Sequence, residues 1–403
     1  MNVLMLTHRL PFAPNRGDRV RAYHLVKQLA ARADVHVMSL THDRAEHAQA
    51  ETLRQLGVGV STAQVPRVRN LVRAAIALPT NTPLTHLLLD SPDMPALLRS
   101  ATRDWRPDVV LAYCSGVAPF ALTPVLAGIP LIVDLVDVDS AKWTAFAERA
   151  GMWRRWMFRR EARCLSAFES RLVDAAAATI VVNERECDTL RRLCPHADVQ
   201  VVPNGVDVDT FAPRDAPTGE DHVVFTAVFD YAPNAEGALW FARHVWPRVR
   251  DARPGARLTL AGSSPTRAVR RLARDDRSIE VTGAVADIRP YLWRAAVAVA
   301  PIAQSRGVQN KVLEAAAAGL PSVVTPAVWN GLPSEILPAC RRADSADQFA
   351  AAVLELLSLS PAARRRQAAR ARLSDLAWPK RLAPLADLIE TIARTPAAVA
   401  CAR

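Results

Sequence analysis

Short β-rich apolar runs alternate with helical patterns twice along this chain, and a Pro- and Asp-rich stretch, Ala212 to Asp221, separates the two series. Alternation of this kind dictates parallel sheets, because consecutive parallel strands need a crossover of a dozen or more residues, usually a helix. The first series offers strands at Asn2–Thr7, Asp34–Leu40, Asp108–Tyr113, Leu131–Val136, Thr179–Val182 and Val199–Val202, with helices such as Asp18–Ala31 between them. The second offers His222–Val228, Arg257–Ala261, Ile279–Thr282, Ala296–Ala300 and Ser322–Thr325. The fold class is therefore α/β, with two doubly wound Rossmann-like domains facing a cleft. The expected boundaries are 1–203, a hinge over 204–221, 222–375, and a C-terminal helix in 376–403 that crosses back to the first domain. Ligands of such folds sit beyond the carboxyl ends of the strands, here in the cleft.

A length of 403 residues suits two domains, and a chain that is 50% hydrophobic and 23% charged is a packed globular protein rather than a disordered one. Lys and Arg (51) outnumber Asp and Glu (40), giving +11 at pH 7. That balance suits phosphates, polyanions or an anionic membrane surface, although the dominance of Arg over Lys also fits a compositional bias. The six cysteines show no CxxC and no metal-like spacing with His, so no metal site is expected and a reducing cytosol is the simplest compartment. The apolar start Met1 to Thr7 is cut short by His8 and Arg9, which argues against a signal peptide. Tyr113 to Val133 carries no charge, yet Pro119, Pro124 and Pro130 break it into a strand end, a short helix and a new strand rather than a membrane span.

Four places concentrate polar chemistry. In Arg306 to Thr325, Asn310 and Lys311 stand just ahead of an Ala-rich helix, Glu314 falls in its first turns, and Gly319-Leu320-Pro321 ends it before a short buried strand. This is a helix start suited to a charged ligand, with a capped helix and a solvated Glu314 as the plainer alternative. After the first strand, Pro14-Asn15-Arg16-Gly17-Asp18 leads into a helix; Asp18 is a candidate N-cap and Gly17 lets backbone approach a phosphate, against the alternative of an ordinary turn. Neither GxGxxG nor GxxxxGK[ST] is present there. After Leu131–Val136, Asp137, Asp139, Ser140 and Lys142 cluster at a strand's carboxyl end; Asp139 or Ser140 would serve as the N-cap of the next helix, but two carboxylates and a Lys exceed what a cap requires and point to a site. Finally, Glu148 to Arg163 mixes six Arg with Trp153 and Trp156. On a helix, Trp153, Met157, Cys164 and Phe168 share one face, while Arg155, Arg159, Arg160 and Arg163 sweep the neighbouring arc around Trp156. This is either an interfacial helix or a surface helix packed on its own domain. Arg364 to Arg366, with Arg370 and Arg372, reads as a solvated basic face.

The segment "VVPNGVDVDTF" (201–211) carries an Asn204-Gly205 pair that reads as a tight positive-φ hinge turn. Together with the downstream "NKVLEAAAAGLPSVV", it resembles the retaining glycosyltransferases of family 4, which have the GT-B fold. The similarity covers nearly the whole chain. The Pro14–Gly17 loop, "DVDSAKW" and "VTGAVADIRPYL" (281–292) narrow it to sugar transferases of exopolysaccharide clusters of the PEP-CTERM/exosortase type. The resemblance implies a nucleotide-sugar donor on the second domain and an acceptor on the first. Glu314 then holds the ribose hydroxyls, beside Asn310, Lys311 and Val312; Gly17 lies near the diphosphate or sugar, and Gly262, Gly283 and Val285 near the base.

The chain departs from the family pattern in three places. Arg306 occupies the position of the first Glu of the E-x7-E motif, the Arg/Lys pair expected after the second domain's first strand is replaced by Phe229-Asp230-Tyr231-Ala232-Pro233-Asn234, and Asp137 stands where a His is common. The implied chemistry is glycosyl transfer with retention. Arg306 and Lys311 would stabilise the departing diphosphate, and Asp137 or Asp139 would orient the sugar or acceptor hydroxyl. No cofactor or metal is expected. The implied acceptor is a saccharide, polyprenyl-linked, at the inner face of the cytoplasmic membrane, with Trp153, Arg155, Trp156 and Arg159 meeting anionic lipid. The alternatives are a sugar-nucleotide epimerase of the same fold and a non-catalytic sugar-nucleotide binder. Nucleic-acid binding has only the basic pI behind it and is set aside.

Overall fold

The computed structural model describes residues 1–12, 17–214, 221–305 and 308–394. It divides into two compact units, Met1–Pro203 with Leu382–Arg403, and Asn204–Arg381.

The first unit holds seven parallel strands: β1 (Asn2–Thr7), β2 (Asp34–Thr41), β3 (Gly59–Gln64), β4 (Val109–Tyr113), β5 (Leu131–Val136), β6 (Ala178–Val181) and β7 (Val199–Val201). Their order is β3-β2-β1-β4-β5-β6-β7, and Val3 sits opposite Val35 on one side and Val109 on the other. Central strands are covered on both faces, so they read as unbroken apolar runs; every residue of β4, Val-Val-Leu-Ala-Tyr, is buried. The helices that frame its loops are α1 (Gly17–Ala30), α2 (Arg67–Ile76), α3 (Leu84–Leu88), α4 (Asp139–Arg149), α5 (Met152–Ala175) and α6 (Glu184–Leu193).

The second unit repeats the scheme with β8 (His222–Thr226), β9 (Arg257–Ala261), β10 (Ile279–Gly283), β11 (Val297–Ala300), β12 (Ser322–Val324) and β13 (Cys340–Arg342), in the order β10-β9-β8-β11-β12-β13. Its helices include α7 (Ala232–Trp240), α8 (Asn310–Ala317) and α9 (Pro361–Ala368). In both sheets the winding direction reverses beside the first strand, between β1 and β4 and between β8 and β11. Crevices at the carboxyl ends of such switch points are where doubly wound sheets bind ligands. A last helix, α10 (Trp378–Arg394), begins in the second unit and ends in the first.

Several sequence expectations change. β3 and β13 were not anticipated; both are edge strands, the first with the small and polar sequence Gly-Val-Ser-Thr-Ala-Gln, so neither shows the apolar run of a buried strand. α1 begins at Gly17, which puts Asp18 inside the helix rather than at its cap. Gly205 has no positive φ; it is needed because a Cβ there would lie 2.8 Å from the Trp378 Cα and 2.9 Å from the Leu376 carbonyl oxygen. Arg160 does not belong to an exposed arc. It is buried, and its guanidinium donates to the carbonyls of Ala77, Leu78, Thr80 and Thr82, clamping the loop after α2. Trp153 leaves the buried face of Cys164 and Phe168 and is 78% exposed. Arg364 is likewise buried, donating to the Leu357 and Leu359 carbonyls, so that basic helix is not simply a solvated face. The uncharged run resolves into the end of β4, a helix at Ala118–Ala121, a 3-10 turn at Pro124–Leu126 and β5; among the described residues no helix is long and apolar enough to cross a membrane.

Candidate functional site

In the second unit, α8 starts just beyond the carboxyl end of β11, beside β8. The Lys311 ammonium donates to Asn234 Oδ1 at 2.8 Å and lies 5.2 Å from the centroid of the Phe225 ring. Asn234, in the first turn of α7, donates through Nδ2 to the Val228 carbonyl at 2.9 Å, so its amide is fixed from both ends. Lys311 thereby bridges the two loops that flank the switch point. Glu314 follows one turn along α8. Both side chains are half-buried. Burial pushes Lys311 down to about 7 while Glu314 opposes the change, and burial pushes Glu314 up to about 7 while Lys311 opposes it. No hydrogen bond or ion pair joins the Glu314 carboxylate to another described residue, and Asn310 Oδ1 is buried without a partner among them. A lysine, a carboxylate and an amide oxygen thus share the first turns of one helix with more bonding capacity than the protein uses. Val312, 2% exposed, packs inward behind them.

The neighbouring loops are built for close backbone approach. Gly262, after β9, has φ +145°, and a Cβ there would lie 1.9 Å from the Ala227 carbonyl oxygen; its N–H donates to Thr282 Oγ1 at 3.1 Å. Gly283, at the end of β10, has φ +71° with open space around it, and Val285 beyond it is half-buried. Asp287 is not free, since it pairs with Arg289 at 2.8 Å. Arg306 lies outside the described residues.

In the first unit, the turn after β5 is strained. Val136 has φ +64°, and the Asp137 N–H donates to the Leu135 carbonyl at 2.8 Å, which closes a three-residue γ-turn around a β-branched residue. Cys114, at the end of the adjacent β4, is also left-handed with φ +70°. Strain of this kind, at the carboxyl ends of two neighbouring strands, clusters at functional sites.

Asp139 and Ser140 do not cap α4. The helix begins at Asp139, and its amides are served by carboxylates from other helices: Glu169 of α5 accepts from the Ser140 N–H at 3.1 Å and from the Ser140 hydroxyl, while Glu186 of α6 accepts from the Val138 N–H at 2.8 Å. Burial pushes Glu169 up to about 7, against the bonds from Ser140. Asp139 is thus released from capping; it accepts from the Ser115 hydroxyl and lies 3.8 Å from the Lys142 ammonium. Asp137 is half-buried. His86 of α3 stands nearby, where burial pushes it down to about 4 and keeps the ring neutral at pH 7. The structure therefore gathers Asp137, Asp139 and Lys142 in the first unit, and Asn310, Lys311, Val312 and Glu314 in the second.

Ser115, Glu169 and Glu186 escaped the sequence reading because each reaches its partner from a distant segment, and Asn234, named there only as part of the stretch replacing the Arg/Lys pair, was given no role for the same reason. Asn234 alone offered a signal, a polar residue in the opening turn of the helix after β8. The surface of the first unit adds another unexpected feature: α2 exposes Val68, Leu71, Val72 and Ile76, with Arg67, Arg69 and Arg73 among them, while Met152, Trp153 and Trp156 are 90%, 78% and 51% exposed at the start of α5. The two indoles stack 5.7 Å apart. Arg155 and Arg159 are exposed beside them.

The family model described as glycosyl transferases group 1 matches residues 220–359, and the one described as glycosyl transferase 4-like domain matches residues 16–205. By sequence, no curated protein matches significantly. Among solved structures, the chain is similar to sucrose-phosphate synthase from Thermosynechococcus elongatus, with a TM-score of 0.71 at 17% identity over 97% of this chain and 99% of that one. It is also similar to Anabaena HepE in complex with UDP and glucose, with a TM-score of 0.68 at 12% identity over 97% and 100% of the two chains. WaaG, a glycosyltransferase involved in lipopolysaccharide biosynthesis, gives a TM-score of 0.61 at 17% identity over 96% and 99%.

Proposed function

The chain is a glycosyltransferase of the GT-B fold, and on that premise we propose that it moves a hexosyl group from a nucleoside-diphosphate sugar to a saccharide acceptor with retention at the anomeric carbon. The observation that carries this reading is the start of α8, where the half-buried Lys311 and Glu314 and the buried Asn310 Oδ1 present under-used bonding capacity at a sheet switch point. A structural neighbour that binds UDP and UDP-glucose supports a nucleotide-sugar donor. Glu314 accepts from the ribose hydroxyls, since an ionised carboxylate takes two donors well. The diphosphate restores the charge of Lys311, which meets the negative charge that develops on the leaving group as the glycosidic bond breaks. Arg306 is proposed to assist there in place of the motif's first Glu. The tight loops at Gly262 and at Gly283 to Val285 hold the base, and Gly17 admits the diphosphate or sugar.

Asp137 or Asp139 orients the acceptor hydroxyl, whose oxygen bonds to the anomeric carbon while its proton leaves with the diphosphate. Side-chain cations rather than a cofactor or metal ion supply the counter-charge in this scheme. The acceptor is proposed to be a polyprenyl-linked saccharide in exopolysaccharide or cell-surface glycan synthesis. The protein would then work in the cytoplasm, peripheral on an anionic membrane, as the exposed Trp153, Trp156 and α2 aliphatic residues support.

Thermal shift with UDP, GDP, ADP and their sugars tests the donor site, because a ligand of the native state raises the melting temperature. One nucleotide should shift the wild type by several degrees, and the shift should vanish in Glu314→Ala. A shift that survives in that variant would sink the assignment of Glu314.

A further inference from the structure

The first unit contains a second concavity that the donor chemistry does not use, an open groove of about 470 Å³ among α4, α5 and α6. Its polar lining comes from Arg159, Arg163 and Arg192 together with Ser140, Thr144, Ser166 and Thr189, and none of its lining residues carries a carboxylate. Positions 159, 163 and 166 lie one helical turn apart along a single face of α5, so their side chains enter the groove as a row. Arg192 is oriented by a bond from its guanidinium to Thr189 Oγ1 at 3.1 Å. Arg159 and Arg163 make no ion pair or hydrogen bond with any described residue, and both are exposed. Glu169, behind the wall, is fully buried and committed to Ser140.

Three guanidinium groups around one concavity repel each other and raise the local positive potential, an arrangement that costs stability unless an anion offsets it. The Thr144 and Thr189 hydroxyls donate to the Ser140 and Arg185 carbonyls at 2.9 and 2.8 Å, so the donors turned to the groove are the guanidinium groups, with the Ser166 hydroxyl beside them. The guanidinium fork matches the tetrahedral, multiply charged oxygens of phosphate better than a single carboxylate.

We infer that this groove binds the phosphate or diphosphate group of the acceptor. The inference deepens the sugar-transfer reading and rests on it only in calling the ligand an acceptor. Two sources share this chemistry: a free phosphorylated sugar, and a lipid-borne diphosphate. The stacked Trp153 and Trp156 stand on the turns of α5 immediately before Arg159, with Met152 exposed beside them, so an apolar surface leads up to the arginines and gives a lipid chain somewhere to lie.

Calorimetric titration of UDP-saturated protein with pyrophosphate, farnesyl diphosphate and farnesol separates the cases, since UDP occupies any diphosphate site in the second unit. Farnesyl diphosphate should bind, and in Arg159→Gln/Arg163→Gln its affinity should fall about tenfold or more, the loss expected for at least one charge-assisted hydrogen bond. If pyrophosphate binds as tightly as farnesyl diphosphate with the same arginine dependence, the phosphate site stands and its source is a free one. If farnesol matches its diphosphate, if the double variant binds as the wild type does, or if neither phosphate compound binds, the inference is overturned. The thermal response to UDP is read in parallel. Its loss in the wild type would count against the donor reading alone, whereas its persistence without phosphate binding in the groove would count against this inference alone.

Discussion

Glu314 and Lys311 sit where binding and stability oppose each other. The Glu314 carboxyl is held above its ordinary range in the folded chain, so between its unfolded value near 4.5 and about 7 the native state binds the extra proton, and stability falls as pH rises through that window. Lys311 is held below its ordinary range, so between about 7 and its unfolded value near 10.5 the unfolded state binds the extra proton, and stability rises with pH. The two slopes meet in a minimum near pH 7 for the ligand-free protein. Glu314→Gln removes the lower arm. Urea unfolding at pH 7 should show that variant more stable by about 1–2 kcal/mol, since water reaches the half-buried carboxylate and screens part of its cost, while its response to nucleotide is lost. A variant less stable than the wild type at pH 7 would mean that the carboxylate is satisfied within the fold. Gly262 is the opposite case. Gly262→Ala drives a Cβ into the Ala227 carbonyl at a backbone angle that side chains rarely adopt, which should cost about 2–4 kcal/mol and lower the melting temperature even without ligand.

At the scale of elements, the start of α4 shows how distant segments prepare a site. Its amides are capped from α5 and α6 through Glu169 and Glu186, which leaves Asp139 free to face Ser115 and Lys142. Ser140→Ala strips one donor from a fully buried carboxylate. The loss should be about 1–3 kcal/mol at pH 8, where Glu169 is ionised, and less than half of that at pH 5, where it is protonated. Equal losses at the two pH values would show that the hydroxyl does not serve the charge. The cluster of Asp137, Asp139 and Lys142 was legible in sequence as a candidate site, with capping as the competing explanation; what settles the capping was not, because the carboxylates that serve these amides lie 29 and 48 positions away from their partners. The central strands and the start of α8 were legible, since continuous apolar runs and a polar helix start are local signals. Edge strands, a clamp such as Arg160 and the Asn234 bridge are settled by tertiary partners. Even Gly205 was legible only as a glycine, because its role is to clear the backbone at Trp378 rather than to make a turn.

At the scale of the whole molecule, α10 belongs to both units. Its first turn lies with the second unit, where the Trp378 N–H donates to the Val206 carbonyl at 3.3 Å and Val206 in turn donates to the Leu376 carbonyl at 2.8 Å. From Leu382 onward it belongs to the first, burying Leu382, Leu385, Ala386 and Ile389 completely. Asp387 and Glu390 on its outer side meet Arg32, at the end of α1, at 2.6 and 3.4 Å. Those exposed ion pairs contribute little, whereas three large aliphatic side chains and an alanine sealed from water contribute roughly 5–9 kcal/mol of burial. That is comparable to the entire stability of an ordinary domain. A chain ended at Arg381 should therefore lose cooperative folding of the first unit while the second, which keeps its own sheet and core, still melts as a unit. Differential scanning calorimetry would then show one transition surviving and one abolished, with the nucleotide response of Glu314 retained in the survivor. Two intact transitions after truncation would mean that the first sheet is closed without this helix, and the assignment of its second half to the first unit's core would be wrong.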